Sequence, residues 1–423
     1  MIVHHNHAKA LVLGAFLAAL SLVTASAAPP HPPIPLPYGA MLNVPLYGQQ
    51  TNVWCWDASS LMVIKYFRPF SQLKQCDLAN QATGVNNCCN NPFPVVCVHA
   101  GWEMLSNNGF GFSDSGTALS WTDLRHQIDS GIPVLYAWGW NGGGGHMMVA
   151  IGYFGFLNQQ FVEINNPWPP SSGSSSGGAR ENYTYAAWVG GAGYNHVFWH
   201  DWYNVVDKTK IILRPRAFPI FATNPPIPIG PGPVEKNVRV PDVVIAQAQR
   251  TLQALQKAPA AIQMQTLGTR SAAGSRLGTP LREYIVGLNS LREFNAGMNP
   301  NRIIGGGNEF FFPIFVGAQA QSAVRVIDQN GKAVTESIGG TSIAKQLAAV
   351  LGKSLSGSPT SAINAVRIPA LGLYFVARGQ GMNLQLASLY DVPTFELRSG
   401  AFRSASSIFS SLGAIARTQK GAM

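Results

Sequence analysis

The spacing of apolar side chains predicts three helices in the first half of the chain. From Cys55 to Phe67, apolar residues recur at every third or fourth position, as expected for a helix with one buried face. Thr51 or Asn52 precedes this stretch and is suited to cap it. Residues 101–107 are predicted as a second helix, and the stretch that follows Ser120 as a third.

Apolar runs predict strands in the remainder of this half. Residues 133–138, 147–154 and 161–164 form three such runs, which are separated by short glycine-rich or polar turns. Residues 194–213 add one or two further strands. The first half is therefore predicted to combine helices with a β lobe.

The second half shows the same two patterns of apolar residues, one typical of helices and one typical of strands. Helices are predicted at residues 243–257 and 342–351. Strands are predicted at residues 310–316, 323–327, 333–337, 373–377 and 384–389. The stretch Asp328-Gln329-Asn330-Gly331 is typical of a hairpin turn. This half is accordingly predicted to be α+β with a mainly antiparallel sheet.

Composition changes sharply near the middle of the chain. All ten tryptophans lie between Trp54 and Trp202, and no Cys, His or Trp follows Trp202. Residues 29–215 carry a net charge of −2, whereas residues 216–423 carry +11. Such a step indicates two domains of different surface chemistry.

A proline-rich stretch lies at this step and gives the predicted boundaries. Residues 218–234 hold six prolines and two glycines, which is typical of a linker. The predicted segments are a catalytic domain at 42–215, a Pro/Gly-rich linker at 216–240 and a basic accessory domain at 241–423.

The first 41 residues have the features of an export signal and a leader. Lys9 precedes an apolar run at residues 10–23, and Ala25-Ser26-Ala27 fits a small-residue cleavage site. Residues 1–27 are therefore predicted as a signal peptide, and the proline-rich residues 28–41 as an extended leader. No stretch is long and apolar enough for a membrane span, so we expect a secreted or periplasmic protein.

The five cysteines bear on which thiol stays reduced after export. Exported cysteines are mostly paired, and an odd count leaves one over. Cys76, Cys88, Cys89 and Cys97 lie within 22 residues, whereas Cys55 stands apart. Adjacent cysteines rarely bond to each other, so two pairings remain open: 76–88 with 89–97, or 76–89 with 88–97. The spacing matches no familiar zinc pattern, and we expect no metal.

Cys55 has the setting of a catalytic nucleophile. It lies between Trp54 and Trp56 at the start of the predicted helix, where the partial positive charge of a helix N-terminus favours a thiolate. Gln49 lies six residues upstream on the preceding loop. Its side-chain NH2 is suited to stabilise an oxyanion beside a backbone N–H.

His146 is the predicted general base. Four glycines precede it, and an apolar strand follows it. Asn166 comes 20 residues later, so the two side chains face each other if the intervening turn is centred near Phe156. An asparagine carbonyl would then orient the imidazole toward Cys55. Asn165 is the alternative, because a register slip of one residue exchanges the two faces of the strand.

These residues carry a resemblance to a known family. Gln49-x5-Cys55-Trp56, then Gly145-His146, then Asn166-Pro167-Trp168 resemble the papain-like cysteine peptidases. The Gln-Gln-Thr-Asn-x-Trp-Cys-Trp stretch is similar to a bacterial branch that includes plant-pathogen papain-like effector proteases and bacteriocin-leader-peptidase-like proteins. The resemblance covers about residues 42–215.

The resemblance implies roles and a layout. Cys55 would be the nucleophile, His146 the base and then the acid, Asn166 the orienting residue and Gln49 the oxyanion donor. The implied fold class is α+β: a two-lobed catalytic domain, with a helical lobe and an antiparallel β lobe, followed by a separate α+β domain. The substrate would be a protein or peptide, with no cofactor.

Some alternatives stay open at this point. Asp57 departs from the small residue usual in this branch and would oppose a thiolate if it were ionised. A transpeptidase or an amidase would use the same acyl-enzyme, and a binding protein could keep the scaffold without the chemistry. The basic second half could bind an anionic partner or serve as a ligand-binding or adhesion module; no nucleic acid is expected.

Overall fold

The computed structural model describes residues 39–92, 95–98, 102–170, 177–210, 240–355 and 364–418. The predicted signal peptide and most of the predicted leader and linker lie outside these residues. The described residues fall within one compact unit, Pro37–Met423.

Helices and strands alternate irregularly in the first half. The helices are α1 (Cys55–Phe67), α2 (Gln75–Thr83), α3 (Trp121–Asp129) and α4 (Tyr185–Val189). The strands are β1 (Gly39–Met41), β2 (Phe110–Ser115), β3 (Val134–Trp140), β4 (Gly145–Phe156), β5 (Gln159–Asn166), β6 (Ala179–Thr184) and β7 (His196–Asp207).

One predicted helix of this half is wrong in its described part. Within residues 102–107, the chain makes only the start of a 3-10 turn, Ser106–Asn108. Gly109 follows with φ +77°, which reverses the chain and leads it directly into β2.

The second half has longer strands. Its helices are α5 (Asp242–Lys257), α6 (Ala260–Leu267), α7 (Leu288–Glu293), α8 (Thr341–Leu355) and α9 (Ala405–Thr418). Its strands are β8 (Arg276–Leu277), β9 (Leu281–Val286), β10 (Ile304–Val316), β11 (Gln319–Gln329), β12 (Lys332–Gly339), β13 (Asn364–Ile368), β14 (Leu373–Arg378), β15 (Gln385–Ser388) and β16 (Phe402–Ser404). The turn between β11 and β12 is the predicted Asn330-Gly331 hairpin, with both residues at positive φ.

The described strands form one sheet. Its order is β16-β15-β14-β13-β9-β10-β11-β12-β6-β5-β4-β3-β7-β2, with β1 beside β4 and β8 beside β10. Neighbouring strands are antiparallel except for β13 and β9, which are parallel. This confirms the α+β class with a large, mostly antiparallel sheet.

The pairing of β6 with β12 joins the two halves of the chain. Glu181 lies opposite Gly339, and Tyr183 lies opposite Ser337. Gly339 has φ +133°, and a Cβ there would lie 2.9 Å from the carbonyl oxygen of Arg180, so this junction requires glycine. The two-lobed papain-like layout and the separate second domain stay predictions.

Two apolar clusters hold the elements that carry the predicted site. One lies between α1 and strands β3, β4 and β7, and it includes Trp54, Met62 and Val149. The other draws on both halves of the chain, and in it Trp168 stacks on Tyr374 with ring centroids 5.7 Å apart. The end of β5 is therefore packed against strands of the second half.

Two disulfides close the loop that follows α2. They join Cys76 to Cys89 and Cys88 to Cys97, which is one of the two pairings that the sequence left open. The carbonyl of Cys97 accepts a hydrogen bond from Trp54 Nε1 at 2.6 Å, so this loop is tied to the residue before Cys55. Cys55 alone among the five cysteines keeps a free thiol.

These features bear on where the protein resides. Paired cysteines are compatible with an extracellular protein. Within the described part of the chain, every helix is too short or too polar to cross a bilayer.

Candidate active site

Cys55 is the first residue of α1. Trp54 occupies the N-cap position with φ −99° and ψ 32°, and no side chain caps the helix. The predicted cap at Thr51 or Asn52 is therefore wrong. Both residues lie in the turn before the helix, and Asn52 Nδ2 instead donates to the carbonyl of Leu371 at 3.0 Å.

The backbone of Met147, the residue after His146, ties α1 to β4. The hydroxyl of Ser59, one turn into α1, donates to the carbonyl of Met147 at 2.9 Å. The backbone N–H of Met147 hydrogen-bonds to the Cys55 thiol. The predicted nucleophile and the predicted base are therefore held on two directly bonded elements.

The Cys55 thiol is neutral at rest. Burial raises its pKa above the ordinary value, and this outweighs the hydrogen bonds from the backbone N–H groups of Met147 and Trp56, which act in the opposite direction. The position at the helix start does not by itself produce a thiolate, contrary to the expectation from the sequence.

Burial disfavours the charge that the sequence suggested for Asp57. Its carboxyl is fully buried, and burial, with a smaller contribution from Asp77, raises its pKa well above the usual range. Among the causes that shift the Cys55 pKa, the charge of Asp57 is the smallest. The departure from the family pattern therefore has a small electrostatic effect at neutral pH.

Glycines shape the turn that delivers His146 to the cleft. Gly143 and Gly144 have φ +90° and +86°. A Cβ on Gly145 would lie 2.8 Å from the Trp199 ring and 2.9 Å from the carbonyl oxygen of Trp138. The residue immediately before His146 must therefore lack a side chain.

His146 and Asn166 are hydrogen-bonded. The distance between His146 Nε2 and Asn166 Oδ1 is 2.8 Å. Burial lowers the pKa of His146 to about 4, while this hydrogen bond and the negative charge of Glu181 act to raise it. The imidazole is thus neutral at pH 7. With Nε2–H donating to Asn166, Nδ1 is left as the basic nitrogen.

The register of the hairpin differs from the prediction. The turn is centred at Leu157 and Asn158, and a bulge lies between residues 150 and 152, so Val149 faces Asn165. Asn166 therefore reaches His146 diagonally rather than from the directly opposite position. The alternative, Asn165, points to the other face of β5, where Nδ2 donates to the carbonyl of Val44 at 3.1 Å.

Gln49 lies in a tightly packed loop beside Cys55. Its side chain is buried, and Nε2 donates to the carbonyl of Thr51 at 2.8 Å. Its backbone N–H donates to the carbonyl of Pro167 at 2.8 Å. A Cβ on Gly48 would lie 2.4 Å from the backbone of Gly177. The loop is thereby fixed against the end of β5.

The four residues singled out in the sequence line one cleft. Gln49, Cys55, His146 and Asn166 all contribute to its surface, together with aromatic side chains such as Trp138. Its volume is about 820 Å³, open solvent at the mouth included.

Comparison with known proteins bears on this arrangement. Residues 41–208 match the family model described as Peptidase_C39 like family. This match supports the papain-like cysteine peptidase superfamily and indicates cysteine peptidase activity. No curated protein and no solved structure matches the chain. The likeness to the bacterial branch named above stays a prediction.

Part of the cleft comes from residues outside the family match. The contributing residues of the second half are Arg367, Pro369, Ala370, Gly372 and Leu373. Trp168 Nε1 donates to the carbonyl of Gly372 at 2.6 Å and holds this segment in place. Sequence reasoning missed these residues, because Pro369, Ala370, Gly372 and Leu373 carry no chemical signature and Arg367 is one of many scattered basic residues in this half.

Other candidate side chains have structural contacts. His196 is buried, stacks on Trp138, and donates from Nε2–H to the carbonyl of Ala187 at 2.8 Å. Among the described residues, Cys76, Asp77 and Cys89 form a group of potential metal ligands. The disulfide between the two cysteines removes both sulfurs as thiolate ligands.

Proposed function

We propose that this chain is an exported papain-like cysteine endopeptidase that hydrolyses peptide bonds through a Cys–His–Asn acyl-enzyme mechanism. The observation that carries the proposal is the His146–Asn166 hydrogen bond, which lies in the same cleft as the one free thiol of the chain. The substrate is a protein or peptide, and the chemistry uses only side chains, backbone groups and water.

In the first half-reaction the thiol becomes a nucleophile. His146 Nδ1 takes the proton of Cys55, and the sulfur attacks the carbonyl carbon of the scissile bond. Gln49 Nε2 and the backbone N–H of Cys55 would stabilise the oxyanion of the tetrahedral intermediate. The imidazolium then gives its proton to the leaving amine, and a thioester on Cys55 remains.

Water completes the cycle. His146 takes a proton from a water molecule, and the resulting hydroxide attacks the thioester carbonyl. The C–S bond breaks, the proton returns to the sulfur, and a carboxylic acid is released. Throughout, Asn166 accepts from His146 Nε2–H and keeps Nδ1 directed at the reacting atoms.

Cys55 and His146 are both neutral at rest, so the proton must pass from Cys55 to His146 after a substrate has bound in the cleft. The pKa of Cys55 is raised and that of His146 is lowered, both by burial. These shifts disfavour a thiolate–imidazolium pair at rest. Substrate groups and the oxyanion donors supply the compensating interactions. The Cys55 thiol therefore reacts with a bound peptide in preference to electrophiles in solution.

The deciding experiment is a peptide-library digest with wild type and Cys55→Ala under mild reducing conditions. We expect cleavage and one-to-one labelling by an epoxide-type thiol-protease inhibitor for wild type, and neither for Cys55→Ala. Activity on cell-wall fragments alone would favour an amidase or transpeptidase. Absence of labelling and of cleavage in wild type would indicate a binding protein.

Export and the second half require their own tests. Sequencing the N-terminus of the exported protein should place it after residue 27, as the predicted signal peptide requires. The anionic partner predicted for the basic second half should bind less tightly as ionic strength rises.

A further inference from the structure

The amide of Asn166 is held in a single orientation by partners on both sides. Its Oδ1 accepts from the backbone N–H of Trp168 at 3.0 Å, in addition to its bond with His146. Its Nδ2 donates to Glu181 Oε2 at 2.8 Å. Because a backbone N–H can only donate and a carboxylate can only accept, a flipped amide would lose both bonds.

Glu181 is itself paired with a cation from the second half of the chain. Arg325 Nη1 lies 3.2 Å from Glu181 Oε1, and the two side chains are 4% and 2% exposed. Arg325 Nε also bonds to Glu283 Oε2 at 3.1 Å. A carboxylate buried without a cation is driven toward its protonated form, which no longer serves as a pure acceptor.

Arg325 and Glu181 therefore stand in a continuous chain of contacts that ends at the imidazole. Arg325 lies on β11, Glu181 on β6, Asn166 on β5 and His146 on β4. Glu181 is not among the residues that line the cleft, and Arg325 lies outside the matched residues 41–208.

We propose that Glu181 and Arg325 are positioning residues of the reaction. Arg325 keeps Glu181 an ionised acceptor, and Glu181 fixes the Asn166 amide that sets the tautomer and direction of His146. This inference rests on the proposed function. It makes the second half of the chain a contributor to the catalytic geometry rather than a separate module.

Glu181 also acts through its charge. It favours the protonated form of His146, whereas Arg367 disfavours it. The charged and titratable groups that interact with Glu181 or with its partner Arg325 are Tyr136 on β3, Tyr183 on β6, Glu283 on β9, Glu309 on β10, Glu336 on β12, Arg367 on β13 and Tyr374 on β14. Burial raises the pKa of Glu309 to about 7 and that of Glu336 well above the usual range, so both keep a proton to higher pH than an ordinary carboxyl does.

The test uses Glu181→Gln in the full-length protein, which removes the charge and keeps the shape. The readouts are the rate of Cys55 alkylation by iodoacetamide against pH, and kcat and KM for a peptide substrate. We expect the acidic limb of the alkylation profile, where His146 becomes protonated, to move to lower pH, since the imidazolium loses a stabilising charge. We also expect kcat to fall at least 10-fold. KM should change little, because Glu181 does not line the cleft.

Glu163→Gln is the matched control. Glu163 is a buried carboxyl on β5, the strand of Asn166, but it lies on the opposite face of that strand. The same substitution there should leave both limbs of the alkylation profile in place. A purely structural effect of losing a buried glutamate would instead move both variants alike.

A double-mutant cycle separates orientation from general destabilisation. If Glu181 acts through Asn166, then adding Glu181→Gln to Asn166→Ala should lower kcat by much less than it does in wild type. Arg325→Met should reproduce the Glu181→Gln profile, and Arg325→Lys should recover part of it. Should Glu181→Gln fail to fold, the two Arg325 variants and Glu181→Asp give the same comparison.

The outcomes distinguish this inference from the proposed function. Folded Glu181→Gln and Arg325→Met proteins with wild-type pH limbs and wild-type kcat would overturn the inference while leaving a Cys55-dependent peptidase intact. Absence of Cys55-dependent cleavage in wild type would overturn the proposed function, whatever the alkylation profiles of the variants.

Discussion

Two adjacent asparagines at the end of β5 have different partners. Asn166 bonds to His146 and Glu181, whereas Asn165 bonds to the carbonyl of Val44 on the other face of the strand. The sequence predicted both the His146–Asn166 pair and its alternative from hairpin geometry. It could not resolve the register, because the bulge beside Ala150 leaves no mark on the apolar pattern.

We therefore expect Asn166→Ala and Asn165→Ala to separate catalysis from stability. Asn166→Ala should lower kcat by roughly 100-fold, because the imidazole loses the acceptor that fixes its tautomer. Asn165→Ala should keep kcat and lose about 1–3 kcal/mol of stability, since the hydrogen bonds from the buried Nδ2 to the carbonyls of Val44 and Pro45 are lost. Steady-state kinetics and urea unfolding of both variants provide the measurements, and equal kcat losses would contradict the assignment.

A pH effect on stability is expected from Glu163. Burial raises the pKa of its carboxyl from 4.5 to about 7. Between these values the folded state keeps a proton that the unfolded chain has released, so the free energy of unfolding falls as pH rises and levels off above pH 7. As pH rises through this range, the free energy of unfolding of Glu163→Gln should therefore increase relative to that of wild type by up to about 3 kcal/mol. Urea unfolding of both proteins at the two ends of this pH range tests the prediction. A difference in unfolding free energy that is the same at both pH values would refute it.

At the level of single elements, the cysteine-rich loop after α2 supports the start of α1. The carbonyl of Cys97 receives the indole N–H of Trp54, next to Cys55. The sequence limited the disulfides to two pairings and could not choose between them, because Cys88 and Cys89 are adjacent and offer almost equal loop lengths. Only the side-chain directions in the folded loop decide.

Removing one disulfide should loosen this loop without touching the thiol. For the double variant Cys76→Ala/Cys89→Ala we expect a loss of roughly 3 kcal/mol in the free energy of unfolding, since the unfolded chain regains loop entropy. Denaturant titration measures the loss. The variant should still be alkylated once per chain, at Cys55, and an unchanged unfolding midpoint would count against a structural role for this bond.

A second element, residues 367–373, forms one wall of the cleft. Ala370 is a small, buried member of this wall. Ala370→Phe should raise KM for peptides with large side chains near the scissile bond by about 10-fold, while kcat for small peptides is kept. Met382→Phe, on an exposed part of the second half, is the control substitution. Identical kinetics for the two variants would show that this wall does not contact substrate.

At the level of the whole molecule, the sheet runs without interruption from the first half into the second. The sequence predicted most helices and strands of both halves, and the change in composition after Trp202 is real. The pairing of β6 with β12 was beyond sequence reasoning, since it joins residues about 155 positions apart and backbone hydrogen bonds have no side-chain signature.

A chain that ends at residue 215 tests how far the halves depend on each other. Truncation leaves the edge of β6 unpaired and Glu181 without Arg325. We expect such a protein to aggregate or to lose most of its peptidase activity. Solubility, circular dichroism and the peptide digest are the measurements. Full activity of the fragment would support the autonomous catalytic domain predicted at residues 42–215.

The carbonyl of Gly372 has a consequence for how a substrate enters. It receives both the Trp168 indole and the Tyr390 hydroxyl, while the neighbouring carbonyl of Leu371 receives Asn52. An outward movement of this wall would break the hydrogen bonds of several buried polar groups. Each group left without a partner would cost about 1–3 kcal/mol of free energy. A gap of fixed width admits a loose, extended polypeptide far more readily than a compact globule, so unfolded tails and surface loops should be cut first.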